Sequence, residues 1–205
     1  MHPNPAFRGT PRERNMDFAR EQGFGVMAVA TEGEPLMSHI PFLLSEDGNR
    51  AEFHLVRSNP IARMLKSPRK ARIAVQGPHG YISPDWYGVA DQVPTWNYIA
   101  VHLSGEISLQ PMEALRDLLD RQSALFEERL LPKIPWTTDK MTADVLQKMM
   151  RQIVPCVMRV DEIAGTWKLN QNKPDAVRED AAKHVDGYGI GMEPRILAAL
   201  MRGAQ

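Results

Sequence analysis

The sequence predicts a mainly β domain with peripheral helices, an α+β arrangement. Short apolar or alternating runs bounded by turn residues fill the N-terminal half of the chain, and such runs are typical of strands. One of them, from Thr95 to Leu109, is long and contains Gly105, a residue that allows a bulge or bend through which a sheet curls toward closure. Two helical patterns follow the strands along the chain.

The first elements are predicted as a helix and a β-meander. Thr10 to Glu13 has the pattern of a capping box with proline at the first helical position, which predicts a helix that ends near Gln22. Ser58 is expected to cap a short helix that carries Ile61 and Leu65. The predicted strands are Val26 to Thr31, Leu36 to Leu44, Ala51 to Val56 and Arg72 to Val75.

The second half of the chain is predicted as one long strand, two helices and a returning strand. The helices cover residues 112–129 and 142–153, and the strand covers Val157 to Val160 with Ile163 to Leu169 trailing it. Beyond Pro174 the chain is polar and glycine-rich and ends in a short apolar helix, Ile196 to Met201. We therefore expect one domain over residues 1–175, with the helices of about 112–153 inserted, and a tail over 176–205 without an assigned function.

Composition excludes several classes of protein. Lys plus Arg and Asp plus Glu both number 25 in 205 residues, so the formal charge is zero and no overall field attracts nucleic acid or anionic lipid. Cys156 is the single cysteine, and no cationic start with an apolar run marks a signal peptide, which favours the cytoplasm. No apolar stretch reaches the roughly 20 residues of a membrane-spanning helix, so we expect no membrane association.

An aromatic loop is the most informative local feature of the sequence. Residues 81–98 contain two of the four tryptophans and three of the four tyrosines, and Pro84 and Pro94 bracket the connection between the two strands. Flat side chains beside the polar groups of Thr95 and Asn97 suit a planar ligand with polar edges, because stacking covers the faces of the ligand and hydrogen bonds orient its rim. The alternative is a corner of the core with a hydrogen-bonded tryptophan.

Two further segments carry polar groups suited to a ligand. Arg57-Ser58-Asn59 lies where a strand meets a helix, which suits a phosphate, although an ordinary capped helix with an exposed arginine has the same pattern. If the turn after the second strand centres near Asp47-Gly48, Pro41 faces His54, and His39 and His54 share one face of the sheet. They then line a common site or serve as hydrogen-bonded structural residues.

The segment from Lys168 to Lys173 places two cations and three amides within six residues. It offers an anion partner with donors and acceptors, or it is a solvated turn. The spacing of Cys and His matches no metal site, and no nucleophile elbow occurs. Cys156 follows Pro155 in an apolar strand, where a buried, unreactive thiol is expected. The sequence therefore leaves catalytic residues unassigned and predicts no metal.

Five stretches together resemble one protein family. They resemble, in order, the signature blocks of the PaiB-type FMN-binding negative transcriptional regulators. The resemblance implies a split β-barrel of the FMN-binding type, shared with pyridoxamine-phosphate oxidases and flavin reductases, and a homodimer in which both subunits form each flavin pocket. The five stretches are Ser38 to Leu44, His54 to Pro60, Gly77 to Pro84, Val93 to Tyr98 and Trp167 to Asn172.

The resemblance also implies residues that hold the cofactor, FMN. One group is expected at the phosphate, one at a strand edge beside the ring, and one flanking the isoalloxazine, with two further candidates from the C-terminal block. The shorter loop from Tyr87 to Gln92, which lacks the lysine of many relatives, is expected to weaken the retention of an anion. The residues expected at the phosphate are Arg57, Ser58 and Asn59. Those at the strand edge are Ser38, His39, Ile40 and Pro41, with His54 added from the shared face. Thr95, Trp96 and Asn97 are expected to flank the isoalloxazine, and Lys168 and Gln171 are the C-terminal candidates.

Three functions are consistent with this sequence. The first is a flavin-binding transcriptional regulator or flavin-linked sensor, acting through a partner protein because zero net charge and the lack of a recognisable helix-turn-helix disfavour direct DNA binding. The second is an FMN-dependent oxidoreductase that uses NAD(P)H, since a flavin supplies the hard chemistry itself. The third is a haem-handling split barrel that uses a histidine such as His39 or His79.

Overall fold

A computed structural model describes residues 1–204, which form an eight-stranded sheet and six α-helices. The strand order is β2-β1-β5-β6-β7-β4-β3, with β8 paired to β5. The predicted class, mainly β with peripheral helices, is confirmed. The strands are β1 (Phe24–Val29), β2 (Leu36–Pro41), β3 (Leu43–Leu44), β4 (Arg50–Val56), β5 (Arg69–Ile82), β6 (Thr95–Leu109), β7 (Ile153–Lys168) and β8 (Gly191–Met192).

The helices flank the strands in the chain as the periodicity predicts. The helix expected to end near Gln22 and the two expected after the long strand are all present. Apolar residues at helical spacing place Leu115 and Leu118 in the core on the buried side of the third helix. The six helices are α1 (Arg12–Gln22), α2 (Pro60–Met64), α3 (Ala114–Glu128), α4 (Ala143–Met150), α5 (Asp175–Tyr188) and α6 (Pro194–Arg202).

Strand β6 has the bounds that the alternation predicts. Buried and partly exposed residues alternate along it from Asn97 to Ser108, because successive side chains of a strand point to opposite faces. By contrast, β5 and β7 are each longer than predicted. The returning strand and its trailing segment form one strand, β7, in which Pro155 pairs with His54 of β4.

The predicted β-meander is only partly correct. The β2 strand ends at Pro41, and the buried Phe42 donates its N–H to Gly23 O at 2.8 Å, so the expected second strand is divided into β2 and β3. The expected register around the turn is present between β3 and β4, where Leu43 pairs with Glu52. The pairing of the first two strands, β1 with β2, is as a meander requires. However, β2 is not the neighbour of β4, which pairs with β3 and β7.

The predicted cap of α2 is displaced by one residue. Asn59, not Ser58, is the N-cap, and its side-chain oxygen accepts a hydrogen bond from Ile61 N at 2.9 Å. Pro60 occupies the first helical position, so the residue directly before it has the extended backbone that an N-cap requires. Ser58 is therefore exposed and free of this structural role.

The C-terminal segment is more ordered than its composition suggests. The sequence analysis missed α5, and the predicted helix at Ile196 to Met201 is the larger part of α6. Ala181 and Val185 of α5 and Leu197 of α6 are fully buried and belong to the same hydrophobic cluster as Ile82 and Trp167. The segment beyond residue 174 is thus part of a core, while its assignment as a separate tail without function stays a prediction.

The chain divides into two compact units. The first unit comprises residues 1–18 and 75–102 and the chain from Ala164 onward, and the second comprises residues 19–74 and 103–163. The first unit contains the cluster around Trp167, α5 and α6. The second contains β1 to β4 and the helices α2, α3 and α4. Strands β5, β6 and β7 each contribute residues to both units.

A buried polar pair anchors α1 within the first unit. Trp167 donates from Nε1 to Asn15 Oδ1 at 2.7 Å, and Asn15 Nδ2 donates to Thr10 O at 3.2 Å. Both residues of the pair are buried. The pair therefore satisfies an indole N–H that water cannot reach.

Replacing Asn15 with alanine is expected to lower the free energy of unfolding by about 2 kcal/mol, because it leaves the buried indole N–H of Trp167 without an acceptor. Denaturant unfolding followed by tryptophan fluorescence measures the change. Asn172 is exposed, and its alanine variant serves as the matched control with little expected effect. Equal stabilities of the two variants would contradict this role for Asn15.

Candidate functional site

The residues predicted to hold the cofactor lie in two groups, one in each unit. We call the group of the second unit the strand–helix group and that of the first unit the aromatic group. The strand–helix group consists of Ser38, His39, Ile40, Pro41, His54, Arg57, Ser58 and Asn59, and the aromatic group of Thr95, Trp96, Asn97, Lys168 and Gln171.

A side-chain hydrogen bond brings together two parts of the strand–helix group. Asn59 Nδ2 donates to Ser38 Oγ at 3.1 Å, while Asn59 Oδ1 accepts from Ile61 N. The amide of Asn59 thus links β2 to the start of α2. Its groups are used within the fold, so Asn59 positions its neighbours more than it offers hydrogen bonds to a ligand.

Arg57 is an exposed cation held from one side. Its Nε donates to Arg151 O at 2.6 Å, and its Nη2 lies 3.2 Å from Met112 Sδ. Within residues 1–204, Nη1 has no hydrogen-bond partner. The main-chain contact limits the rotamers of the side chain, and the remaining N–H groups of the guanidinium suit the oxygens of a phosphate.

The remaining members of the strand–helix group differ in accessibility. Ile40 is buried in the core, whereas His39 is exposed and stacks on Phe24 with a ring-centroid distance of 6.4 Å. His54 is partly buried, and this burial lowers the pKa of its imidazole. The two histidines lie on strands that are not paired with each other, so the predicted common site is not formed by direct pairing.

The aromatic group is distributed over both faces of β6. Trp96 is 46% exposed, whereas Asn97 is fully buried and Thr95 is partly buried. Because side chains alternate along a strand, Thr95 and Asn97 share one face and Trp96 occupies the other. The structure therefore does not bring all three side chains to one surface of a ring.

Trp96 stands in a cluster of aromatic side chains. His79 lies 6.1 Å from it and Tyr81 lies 6.2 Å from it, edge-on, between ring centroids. Tyr81 in turn meets Trp86 edge-on, and Trp86 stacks on His184 of α5 at 5.8 Å with an interplanar angle of 8°. The indole of Trp96 thus packs against His79 and Tyr81 and is still about half exposed.

Asn97 is the least satisfied polar side chain of the group. It is fully buried, and neither Oδ1 nor Nδ2 has a hydrogen-bond partner among the residues that the structure describes. Such a buried amide requires a partner, since an unpaired polar group costs about 1–3 kcal/mol. Because an amide can both donate and accept hydrogen bonds, it suits the polar edge of a planar ligand that also does both.

Lys168 and Gln171 have different roles. Lys168 Nζ donates to Thr95 Oγ1 at 2.5 Å, and burial lowers the pKa of this lysine. The side chain of Gln171 is used within its own turn, accepting from Leu169 N at 2.8 Å and donating to Trp167 O at 2.5 Å. Lys168 therefore offers a partly buried cation beside β6, whereas Gln171 shapes the turn.

The sequence analysis missed one aromatic partner. His184 was not recognised because α5 was not predicted. The signal was present, since Val177, Ala181 and Val185 recur at helical spacing and face the core. The glycines at the end of this segment obscured the pattern.

Neither a metal centre nor a reactive thiol is present in the described structure. In residues 1–204, no cluster of three His, Cys, Asp or Glu side chains is arranged to hold a metal ion. Cys156 is fully buried, which confirms the expected buried thiol, and burial raises its pKa to about 12. A thiol that stays protonated is a poor nucleophile.

Cys156 is therefore expected to resist a thiol reagent such as a disulfide-exchange dye at pH 8 in the native protein, because its thiol is both inaccessible and protonated. The same reagent should label one thiol per chain after unfolding in guanidinium chloride. Labelling rates are followed by absorbance. Rapid labelling of the native protein would contradict the buried assignment.

The sequence matches a known protein family over most of its length. Residues 1–162 match the family described as "Putative FMN-binding domain". A relative from Bacillus subtilis, named protease synthase and sporulation protein PAI 2, is 31% identical over 169 residues, covering 82% of this chain and 80% of the relative. An uncharacterised protein of Saccharomyces cerevisiae is 33% identical over 98 residues, covering 42% of this chain and 58% of that protein.

Solved structures with low sequence identity share the fold. The FAD and heme binding protein of Mycobacterium smegmatis superposes with a TM-score of 0.61 at 19% identity, covering 91% of this chain and 84% of that protein. The flavocytochrome Anf3 of Azotobacter vinelandii superposes with a TM-score of 0.51 at 13% identity, covering 76% and 66%. In residues 1–204, no helix is long and apolar enough to span a membrane.

Proposed function

Because the chain belongs to the PaiB-type family of FMN-binding domains, with the mainly β fold of the split-barrel, FMN-binding type, we propose that it is a flavin-binding regulatory protein. FMN is the cofactor of this family. The observation that carries the proposal is the ordered match over residues 1–162 together with the 31% identity to PAI 2 over most of both chains. When bound, the flavin supplies electron or hydride transfer chemistry.

The side chains present fit such a cofactor. In the strand–helix group, Arg57 and Ser58 are exposed and provide charged and hydroxyl donors for the phosphate. In the aromatic group, the accessible indole of Trp96 suits a flat ring, and Lys168 supplies a cation. We propose that Asn59 and Gln171 position neighbouring residues and do not bind the flavin directly, because their side-chain amides are hydrogen-bonded within the protein.

We place His39 and Pro41 beside the ring as partly or fully exposed residues of β2, with Ser38 held by Asn59. Ile40 contributes only its main chain, since its side chain is in the core. Asn97 is given no direct contact with the ring, because its side chain is inaccessible in this conformation and lies on the face of β6 opposite to Trp96.

The proposed assembly is a homodimer in which each flavin pocket draws on both subunits. The exposed apolar side chains of the sheet edge support it. Strand β2 is at one end of the strand order, and Met37 on β2 is 64% exposed while Phe24 on the adjacent β1 is 53% exposed. An exposed edge strand with large apolar side chains is a typical interaction surface.

Replacing Met37 with aspartate is expected to shift the protein toward monomer, because a charge at the interface must be desolvated when the subunits associate. Sedimentation velocity at several protein concentrations measures the shift, which we expect to be about tenfold or more in the dissociation constant. Met149 on α4 is similarly exposed, and Met149→Asp is the matched control. A monomeric parent protein, or a Met37→Asp variant as dimeric as the parent, would contradict the assignment.

The proposed regulatory role is transcriptional and indirect. Zero formal charge gives no general attraction to DNA, so a partner protein is the expected route. FMN stabilises the state that binds it, and so links the oligomer to the flavin supply. The single, buried cysteine suits the reducing cytoplasm as the location.

Three measurements on the purified protein separate the regulator from the other two functions. A flavin absorbance band that stays with the protein after unbound FMN is removed by gel filtration, without oxidation of NADH or NADPH, supports the regulator. FMN-dependent oxidation of either nicotinamide would instead establish the oxidoreductase, and a Soret band after haem addition the haem protein. A promoter gel shift that persists at raised salt would replace the indirect route with direct DNA binding.

A further inference from the structure

A cavity in the second unit is lined by neither Arg57 nor Ser58, the exposed residues proposed for the phosphate. It lies against α3 and has a volume of about 290 Å³. We call it the α3 pocket. It is lined by Pro41, Gln122, Ser123, Phe126, Glu127 and Trp136.

The walls of the α3 pocket are mostly apolar. Phe126, Trp136 and Pro41 provide two aromatic surfaces and a rigid ring. Pockets of this composition bind small molecules through the faces of their rings. The volume is at the lower end of the range for ligand pockets, about 300–1,000 Å³, and is too small for a dinucleotide.

Gln122 is an unsatisfied donor in this pocket. The residue is only 6% exposed, and its Nε2 has no hydrogen-bond partner in the part of the chain that the structure describes. The side chain of Gln122 is also within hydrogen-bonding reach of the imidazole of His54, where it opposes the lowering of the His54 pKa by burial, yet Nε2 of Gln122 stays without a partner among the described residues. A buried donor beside apolar walls requires an acceptor, and a ligand can bring one.

The carboxylate of Glu127 sets the charge that the pocket tolerates. Glu127 accepts from Lys133 Nζ, and it accepts from Trp136 N at 2.8 Å. The bond from Lys133 lowers the pKa of Glu127, so the carboxylate is ionised at neutral pH. Its charge is already compensated by Lys133, so the pocket gains little from a charged ligand of either sign, and an uncharged ligand avoids the cost of desolvating a charge.

An adjacent cavity differs from the α3 pocket in having, among the described residues that line it, no unpaired buried donor like that of Gln122. It shares Ser123 and Trp136 with the α3 pocket, but its polar residues satisfy one another. Arg116 Nε donates to Asp120 at 2.7 Å, and Thr138 Oγ1 donates to Asp120 at 2.9 Å. The unsatisfied Nε2 of Gln122 therefore distinguishes the α3 pocket from its neighbour.

We propose that the α3 pocket binds a small, uncharged aromatic molecule whose carbonyl oxygen accepts a hydrogen bond from Gln122 Nε2. The ring of the ligand lies against Phe126 and Trp136. This binding does not require FMN. Pro41 borders the pocket and also belongs to the strand–helix group.

Benzamide is the probe that tests this site in the full-length protein, with toluene and benzoate as controls. Nitrogen-15 NMR follows the side-chain amide of Gln122 during each titration. Benzamide is expected to produce a saturable shift and to bind about fivefold or more tightly than toluene, which has no acceptor. Benzoate should bind at least tenfold more weakly than benzamide, because its charge must be desolvated in the pocket while Lys133 is already paired with Glu127.

Variants separate the hydrogen bond from the shape of the pocket. Gln122→Leu should lower the affinity for benzamide about five- to tenfold and leave the affinity for toluene unchanged. Gln147→Leu, at an exposed glutamine of α4, should change neither affinity. Equal affinities of the parent protein for benzamide and toluene would overturn the proposal, even if Gln122→Leu did not fold. So would the lack of a saturable shift at millimolar benzamide. Arg57→Ala should retain benzamide binding, which keeps this result separate from that for the flavin.

Discussion

Replacing Arg57 with alanine is expected to weaken the binding of FMN by about tenfold or more and to leave the binding of riboflavin unchanged. A hydrogen bond to a charged group contributes about 1.5–3 kcal/mol, and 1.4 kcal/mol corresponds to tenfold in affinity. The main-chain contact of Nε with Arg151 O already holds the guanidinium, so little entropy is lost when a phosphate binds. Quenching of flavin fluorescence during titration of the apoprotein measures both affinities.

Two controls make the result specific to the phosphate. Arg195 on α6 is exposed, and Arg195→Ala should leave both affinities unchanged. Arg57→Lys keeps the charge but loses the planar fork, so it should restore only part of the affinity for FMN. If Arg57→Ala lowered the affinities for FMN and riboflavin equally, Arg57 would act on the fold or on the ring, and the phosphate assignment would be wrong.

Replacing Gly105 with alanine is expected to lower the free energy of unfolding by about 3 kcal/mol. A Cβ at this position would lie 2.0 Å from Arg159 O and 2.9 Å from Arg159 C, both in the main chain of the adjacent strand β7. Main-chain atoms cannot rotate away, so the two strands must separate, with loss of hydrogen bonds and packing in the second unit. Denaturant unfolding at one fixed protein concentration measures the change.

A glycine in open surroundings provides the matched control. Gly187 is in α5, and an added Cβ there meets no atom within 4 Å. Gly187→Ala should therefore stabilise the protein by about 0.5 kcal/mol, since alanine favours the helix. The two substitutions add the same methyl group with opposite expected signs. A Gly105→Ala variant within about 0.5 kcal/mol of the parent would show that the close approach of β6 and β7 is not required.

Local patterns in the sequence predicted much of the fold. Alternation predicted β6 from Thr95 to Leu109, and apolar residues at helical spacing predicted α3 and α4. The predicted bulge or bend at Gly105 stays a prediction; what the structure shows at this glycine is the close approach of the Arg159 main chain. Ordered sequence blocks pointed to the FMN-binding family, which the match over residues 1–162 confirms.

The sequence could not predict which strands are neighbours. The predicted register around Gly48 occurs between β3 and β4, yet His39 lies on β2, which pairs with β1. Pairing is decided by hydrogen bonds between segments far apart in the chain, and the period of two within a strand is the same for every partner. For this reason His39 and His54 are not on directly paired strands, while their common site stays a prediction.

The sequence by itself determined the types of most elements, though not α5, together with the neutral charge, the single cysteine and the residue types offered to a flavin, because these depend on composition and local spacing. Only the tertiary structure decided which of those side chains are accessible. It exposes Arg57 and Trp96, buries Asn97 and leaves Gln122 with an unpaired donor in the α3 pocket. Burial and hydrogen-bond partners depend on segments brought together from distant parts of the chain, and no local pattern records them.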